Sequence, residues 1–294
     1  MFYLELFING IITGSIYALI ALGFVLIYKA SKMANFAHGE YVTYAALFVA
    51  TARNVWGWSL IASLAFGVVA MAALAVAINV LLLRFIIGRP AITAIMVTLG
   101  LGGFLQGTAK FVFPEVGIKL PMPEALEAPI FLGEIMVSPL ELGAGLIACV
   151  TIAAMSLFFL RSRTGLALRA IADDQQAAMG MGIAVQRHFI IAWALAGLAA
   201  VIGGTLWGQV FGFGFSLGLL GLKVFPIVII GGLESIVGVI VGGLSIGVLE
   251  RLAAGTMESI IGSGSGNFIP YIVMIIVLMI RPYGIFGVPD VQRV

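Results

Sequence analysis

The chain has 294 residues, of which 62% are hydrophobic and only 10% are charged, and its formal net charge is +2. A soluble domain carries about 25% charged residues, so the composition argues against a soluble fold and favours a membrane protein. The small net charge and the lack of a basic run give no support to a nucleic-acid partner. A single cysteine, Cys149, excludes an internal disulfide.

Apolar stretches of about 20 residues predict membrane-spanning helices. In chain order, six such stretches cover residues 7–28, 36–52, 58–83, 91–113, 138–160 and 189–211. The first stretch lacks the charged flank and the cleavage site of a signal peptide, so we expect it to be a retained span.

The next apolar stretch, 217–249, is too long for one ordinary span. Gly231, Gly232 and Glu234 interrupt it, and we therefore predict two short segments in this part of the chain. A last span is predicted at 268–280.

These patterns predict an all-α polytopic membrane protein with eight or nine crossings, in which residues 1–294 form a single transmembrane domain. Broken or re-entrant segments are expected near 33–40 and 231–238, in opposite halves of the chain. Helix breaks in a membrane are tolerated only where the backbone is buried in protein or lines a wet cavity, so these breaks point to a transport path.

Polar residues at the breaks and in the fourth span are candidate pathway or gate residues: Asn35, His38, Glu40, Gln106 and Glu234. Each also has a structural alternative, either an interfacial position or a hydrogen bond between helices.

Positive charge in short loops marks the cytoplasmic side of a membrane protein. Lys and Arg residues follow the first, third and fifth predicted spans, which fall on one side when the spans are counted: Lys29, Lys32, Arg84, Arg89, Arg161, Arg163, Arg169 and Arg187. The other side receives loop 114–137, which is mainly acidic through Glu115, Glu124, Glu127 and Glu134. We therefore expect the N-terminus and loop 114–137 outside and loop 161–188 in the cytoplasm. Nine crossings would also place Arg281 and Arg293 inside.

Loop 161–188 is the longest polar stretch on the predicted cytoplasmic side. Residues 167–171 are good helix formers, and Asp173 or Asp174 is placed to cap a second short helix that ends at the following glycines. Two short helices with small and apolar side chains facing outward would fit a groove on a partner protein. A solvated connector that only joins two spans is the alternative that the composition leaves open.

Within this loop, Gln176-Ala177-Ala178-x-x-x-Gly182 resembles the Glu-Ala-Ala-x-x-x-Gly motif of ABC importer permeases, with Gln176 where Glu is usual and no following Pro. Other motifs, in order along the whole chain, resemble the LivH-like branch of the hydrophobic (branched-chain) amino acid uptake permeases: Asn9-Gly10, Gly14-Ser15-x-Tyr17-Ala18-Leu19-Ile20-Ala21-x-Gly23, Asn35-Phe36-Ala37-His38-Gly39-Glu40, Arg169-Ala170-x-Ala172-x-Asp174, Gly231-Gly232-Leu233-x-Ser235-Ile236-x-Gly238 and Arg281-Pro282-x-Gly284-Ile285-x-Gly287.

The resemblance implies a permease subunit of an ATP-driven importer in the bacterial inner membrane. Its coupling helix, which docks on an ATPase subunit, would include Arg169, Asp173, Asp174, Gln176, Ala177, Ala178, Gly182 and Ile183. The implied partners are membrane lipid, two ABC ATPase subunits that carry ATP and Mg, a second related permease in a heterodimer, and a periplasmic solute-binding protein at loop 114–137. The implied substrates are branched-chain or other neutral amino acids, with urea, short amides or other small polar metabolites as the alternative within the family.

The sequence contains no Gly-x-x-x-x-Gly-Lys-[Ser/Thr] phosphate loop and no Cys/His cluster typical of a metal site. We therefore expect a transport subunit that is not an enzyme and binds no cofactor itself. An ion-coupled secondary transporter would need a paired charge relay in the spans, whereas only Glu40 and Glu234 are recognised, far apart. A membrane enzyme would have only His38 with Glu40, and residues spaced i and i+2 do not share a helix face.

Overall fold

The computed structural model describes residues 2–86, 91–132, 135–262 and 264–287. The helices are, in chain order, α1 Phe2–Ser31, α2 His38–Ala50, α3 Leu60–Leu81, α4 Ala91–Val112, α5 Glu124–Glu127, α6 Pro139–Arg161, α7 Arg163–Asp173, α8 Gln175–Gly180, α9 Val185–Phe211, α10 Leu219–Gly231, α11 Ile236–Ile261 and α12 Ile269–Ile280. Helix α2 continues into a π-helical turn, and three short 3-10 helices complete the helical part: Thr51–Val55, Leu83–Phe85, Phe215–Gly218 and Ser265–Phe268. Two three-residue strands, β1 Ile130–Leu132 and β2 Ile135–Val137, pair antiparallel before α6. Arg89, Glu134 and Arg293 lie outside the described residues.

Six of these helices are long and apolar enough to cross a membrane: α1, α3, α4, α6, α9 and α11. Two shorter apolar segments lie before and after α11, at Leu219–Gly231 and Ser265–Ile280. The predicted all-α polytopic membrane protein is thereby confirmed. The total of eight or nine crossings and the single transmembrane domain stay predictions.

The first predicted break is confirmed between α1 and α2. Helix α1 ends at Ser31, and Lys32 follows with a φ of 54°, a left-handed conformation that does not continue a helix. The Asn35 side chain then accepts a hydrogen bond from the Ala37 N–H at 3.1 Å, and this turn leads into α2. Asn35 and Ala37 are both buried, so this non-helical backbone lies within protein.

The second predicted break is confirmed between α10 and α11. Helix α10 ends directly before Gly232, whose φ of 97° favours glycine, and Ser235 caps α11 by accepting a hydrogen bond from the Gly238 N–H at 3.0 Å. Of the two short segments predicted here, the first is confirmed as the 13-residue α10, and the second is wrong, because α11 continues for 26 residues to Ile261. The predicted span stopped before the charge of Glu250, but that carboxylate is paired and does not end the helix.

The chain divides into two compact units, and the first contains the described parts of 1–25, 122–149 and 223–294. Helices α1 and α11 approach closely there, since a Cβ added at Gly14 would stand 2.7 Å from the carbonyl oxygen of Gly243. Such backbone contact through small residues is typical of packed membrane helices.

The second unit contains the described parts of 26–121 and 150–222. Helix α2 forms its centre, because nearly every residue of α2 is buried and the helix packs against both α3 and α9. The rings of Tyr41 on α2 and Trp193 on α9 meet edge to face at 5.5 Å between centroids. A short helix is therefore enclosed by longer ones, and its first turn borders a cavity.

Candidate functional site

The cavity has a volume of about 550 Å³ and lies within the second unit, between α2, α4 and the 3-10 helix that precedes α10. Its lining residues are Glu40, Thr43, Gly103, Gln106, Gly107, Ala109, Lys110 and Phe215. The α4 positions 103, 106, 107 and 110 follow the i, i+3, i+4, i+7 spacing of one helix face. This face extends about 10 Å along α4. Because Gly103 and Gly107 have no side chains, they leave space beside the Gln106 amide and the Lys110 ammonium group.

Glu40 lies in the first turn of α2, and only 8% of it is exposed. Its carboxylate lies directly against Gly218, where an added Cβ would come within 2.8 Å of the Glu40 Cδ. A residue larger than glycine at position 218 would therefore displace the carboxylate. Among the described residues, the buried Glu40 Oε2 has no hydrogen-bond partner, and Glu40 is one of the residues that line the cavity.

The other polar groups of the cavity differ in their exposure: Thr43 is buried, whereas Gln106 and Lys110 are exposed. The buried Thr43 hydroxyl donates a hydrogen bond to the Gly39 carbonyl oxygen at 3.1 Å. Gln106 and Lys110 are exposed on α4 and extend from a helix that Tyr44 ties to α2, since the Tyr44 hydroxyl donates to the Leu105 carbonyl oxygen at 3.1 Å. The cavity thus combines one buried anion with one exposed cation and one amide, a set that suits a small solute bearing both charges.

The structure brings two of the five predicted pathway residues together. Glu40 and Gln106 line the same cavity, although they come from different helices. Asn35 forms the turn before α2, and the buried His38 is the first residue of α2; neither lines the cavity. Glu234 lies in the turn between α10 and α11, in the first unit. The transport role of all five stays a prediction.

Loop 161–188 contains two short helices, α7 and α8, as the sequence predicts. Asp174 caps α8, because its Oδ1 accepts a hydrogen bond from the Ala177 N–H at 2.9 Å. Arg169 on α7 donates from Nη2 to the Leu160 carbonyl oxygen at 3.2 Å, which ties α7 to the end of α6. The loop is therefore a folded part of the second unit and is not an extended connector.

The predicted coupling residues divide by exposure. Asp173, Asp174, Gln176, Ala177 and Gly182 are exposed, while Arg169 and Ile183 are partly exposed. Ala178 is only 4% exposed, so it packs inside the loop and does not face outward as expected. The large apolar side chains that this loop exposes are Leu166, Met179 and Met181, none of which was predicted as a coupling residue. Unbranched methionines adapt to varied partner surfaces.

A charge network in the first unit was missed by the sequence analysis. Lys223 Nζ lies 2.5 Å from Glu250 Oε1, and the Tyr17 hydroxyl donates to Glu250 Oε2 at 2.8 Å. The next residue on α11, Arg251, donates from Nε to the Thr13 hydroxyl at 3.2 Å. The sequence had indicated only Glu40 and Glu234 as candidates for a charge relay, and the pair Lys223–Glu250 adds to them. The available signal was the lone Lys223 in an apolar run, since a charge at membrane depth requires a partner.

The first part of the acidic loop, 114–121, is held by hydrogen bonds within the second unit. The Gln209 side chain of α9 both accepts from the Leu120 N–H at 2.9 Å and donates to the Leu120 carbonyl oxygen at 3.2 Å. Asn54, in the turn after α2, donates from Nδ2 to the Lys119 carbonyl oxygen at 3.2 Å. This part of the loop is thereby held at the end of α2.

Comparison with known proteins gives consistent matches over nearly the whole chain. The model of the family described as branched-chain amino acid transport system / permease component matches residues 6–278. The high-affinity branched-chain amino acid transport system permease protein BraD of Pseudomonas aeruginosa is 30% identical, over 99% of this chain and 98% of BraD. The corresponding permease protein LivH of Escherichia coli K12 is 27% identical, over 100% of this chain and 98% of LivH. A solved structure, PsaBC from Streptococcus pneumoniae in complex with Fab, is 19% identical with a TM-score of 0.48, covering 95% of this chain and 92% of that one.

Proposed function

Because the chain belongs to the family of permease components of branched-chain amino acid transport systems, we propose that it passes branched-chain and other neutral amino acids across the membrane. The chain is a membrane-spanning permease subunit of an ABC importer and a multi-pass protein of the inner membrane. Its relatives BraD and LivH are named for high-affinity transport of this substrate class. In the proposed mechanism, ATP binding and hydrolysis on partner subunits drive alternating access.

The cavity at Glu40 is the single observation that carries the proposed pathway. It lies beside the first turn of α2, where the chain turns from buried non-helical backbone into a short enclosed helix. Irregular backbone of this kind occurs inside membranes where it adjoins a solute site. Small-molecule sites have volumes of about 300–1,000 Å³, and this cavity, at about 550 Å³, is within that range.

A continuous set of contacts supports coupling between loop 161–188 and the cavity. The Ile183 N–H donates to the Ala178 carbonyl oxygen at 3.0 Å, which joins α8 to the segment that enters α9. Helix α9 packs on α2, where a Cβ added at Gly204 would lie 2.8 Å from the Val42 carbonyl oxygen. Because Glu40 and Thr43 are on α2, a shift of α8 reaches the cavity through one long helix.

The proposed assembly contains two ABC ATPase subunits with ATP and Mg, a second related permease and a periplasmic solute-binding protein. Loop 161–188 would face the cytoplasm, and its exposed Leu166, Met179 and Met181 provide apolar contacts for an ATPase groove. Loop 114–137 would face the periplasm, where its acidic residues favour docking of a binding protein that presents basic groups.

The test in cells is deletion of the gene for this chain, followed by uptake of labelled leucine at low external concentration. We expect loss of high-affinity leucine uptake, restoration by a plasmid copy, and unchanged uptake of labelled urea as the control. Unchanged leucine uptake with reduced urea uptake would contradict the proposed substrate class.

A further inference from the structure

Glu40 is a buried carboxylate that lacks a partner for one of its oxygens. The residue is 8% exposed, and its Oε2 accepts no hydrogen bond from any described residue. A buried carboxylate requires a cation or several hydrogen-bond donors to remain charged. Among the described residues, no salt bridge reaches Glu40, and Lys110 on the facing helix does not approach it within ion-pair distance.

The position of this carboxylate is fixed by close packing. Gly39 and Gly221 are in backbone contact, since a Cβ added at Gly39 would stand 2.9 Å from the Gly221 Cα. Gly218 leaves room for the Glu40 carboxylate and would clash with it if a side chain were added. The first turn of α2 is therefore packed against the end of the 3-10 helix and the start of α10, with the Glu40 carboxylate against Gly218.

The polar groups of the cavity match the two charges of a free amino acid. Glu40 is a buried acceptor in the first turn of α2, whereas Lys110 is an exposed cation in the last turn of α4. Gln106 lies one helical turn before Lys110, about 6 Å along the axis, and both line the cavity. Thr43 adds a hydroxyl that already donates to the Gly39 carbonyl oxygen, whereas Ala109 and Phe215 are apolar and suit an aliphatic side chain.

We propose that Glu40 binds the α-ammonium group of the amino acid as it passes through this subunit, with Lys110 on the side of its carboxylate. The proposal rests on the proposed function and adds a second selection step, at the permease itself, for solutes that carry a primary ammonium group. Neutral solutes such as urea or short amides lack the cation that the buried carboxylate requires.

The experiment compares variants of the complete transport system in liposomes, with binding protein at saturation and labelled leucine as the probe. Glu40→Gln keeps the size of the side chain and removes its charge. We expect leucine uptake to fall about tenfold or more, because a charge-assisted hydrogen bond is lost, while the ATPase rate stimulated by the binding protein stays within about twofold of the original protein. Glu258→Gln, a change of an exposed carboxylate on α11, is the matched control and is expected to leave uptake unchanged.

A second variant covers the case in which Glu40→Gln fails to assemble. Gly218→Ala keeps the Glu40 charge and displaces the carboxylate, so we expect the same loss of leucine transported per ATP hydrolysed. Uptake by Glu40→Gln within about twofold of the original protein would overturn the proposal, and so would failure of both variants to assemble, because Glu40 would then be a structural residue. If the original protein itself shows no ATP-dependent uptake, the proposed function fails instead.

Discussion

Lys223 and Glu250 place opposite charges inside apolar helices of the first unit, 2.5 Å apart and with side chains only 19% and 14% exposed. The Tyr17 hydroxyl donates a hydrogen bond to the second oxygen of the Glu250 carboxylate. Side chains of α1, α10 and α11 therefore meet in one polar cluster. Removing one partner of a buried pair leaves an uncompensated charge, whereas removing both does not.

Lys223→Met is therefore expected to destabilise the protein by about 3–5 kcal/mol, measured as the loss of the folded fraction on thermal unfolding in detergent. The double variant Lys223→Met with Glu250→Gln is expected to be more stable than the single one, since no buried charge remains unpaired. Equal stability of the single variant and the original protein would show that the pair is not a structural contact.

The pairing of residues in the two polar sites was beyond what the sequence alone could predict. Glu40 and Gln106 were each recognised as polar residues in apolar surroundings, but no local rule joins residues that come from different helices. Lys223 and Glu250 are 27 positions apart and lie on either side of a helix break. Their contact depends on the angle at which α10 and α11 pack, which composition and periodicity do not determine.

At the level of helices, small residues determine how closely α1 and α11 approach. Gly14 and Gly243 are in backbone contact, and Gly247 lies in the same seam. Both helices depend on this contact, because helix association in lipid relies on close packing and not on removal of apolar surface from water.

Gly14→Ala is expected to destabilise the protein by about 1–3 kcal/mol, because the added methyl group overpacks the α1–α11 contact. Gly100→Ala on α4 is the matched control, since a Cβ at that position meets nothing within 4 Å and alanine favours a helix. Thermal unfolding of both variants checks the prediction, and a larger loss for the Gly100 variant would contradict it.

The folded form of loop 161–188 determines what it offers to a partner. The capping role of Asp174 followed from the sequence, because a cap acts on residues two or three positions away. The burial of Ala178 did not, because it depends on how α8 packs against α7 and α9. Met181, with 83% of its surface exposed, therefore replaces Ala178 as the apolar contact of the proposed coupling surface.

Met181→Glu is expected to reduce the amount of ATPase that co-purifies with the permease by about tenfold or more, since a charge would be buried in an apolar contact. Gln176→Glu restores the acid of the related motif and is expected to retain the ATPase. Quantitative co-purification from membranes measures both variants, and unchanged binding by the Met181 variant would remove this residue from the coupling surface.

For the whole molecule, the sequence predicted the class of fold and the position of both helix breaks, because glycine and polar residues interrupt apolar runs there. The predicted end of α11 was too early, because the charge of Glu250 is neutralised by Lys223, which is distant in sequence. The sidedness of the loops rests on the distribution of Lys and Arg and stays a prediction.

Sidedness is tested by single cysteines in a Cys149→Ser background and a maleimide that does not cross membranes. In intact cells whose outer membrane is permeabilised, we expect labelling of Glu124→Cys and no labelling of Gln176→Cys until the inner membrane is opened. Both native side chains are exposed, so access to the reagent differs only by the membrane. Labelling in the opposite order would invert the topology.

The central claim is that this chain conducts amino acids only as part of an ATP-driven importer, and reconstitution tests it most directly. The purified chain is placed in liposomes with the second permease, the ATPase subunits and the binding protein, and uptake of labelled leucine is followed with and without ATP. We expect leucine uptake that requires ATP, both ATPase subunits and the binding protein, and that exceeds urea uptake. Leucine uptake by this chain alone, at the same rate with and without ATP, would contradict it and indicate a secondary transporter.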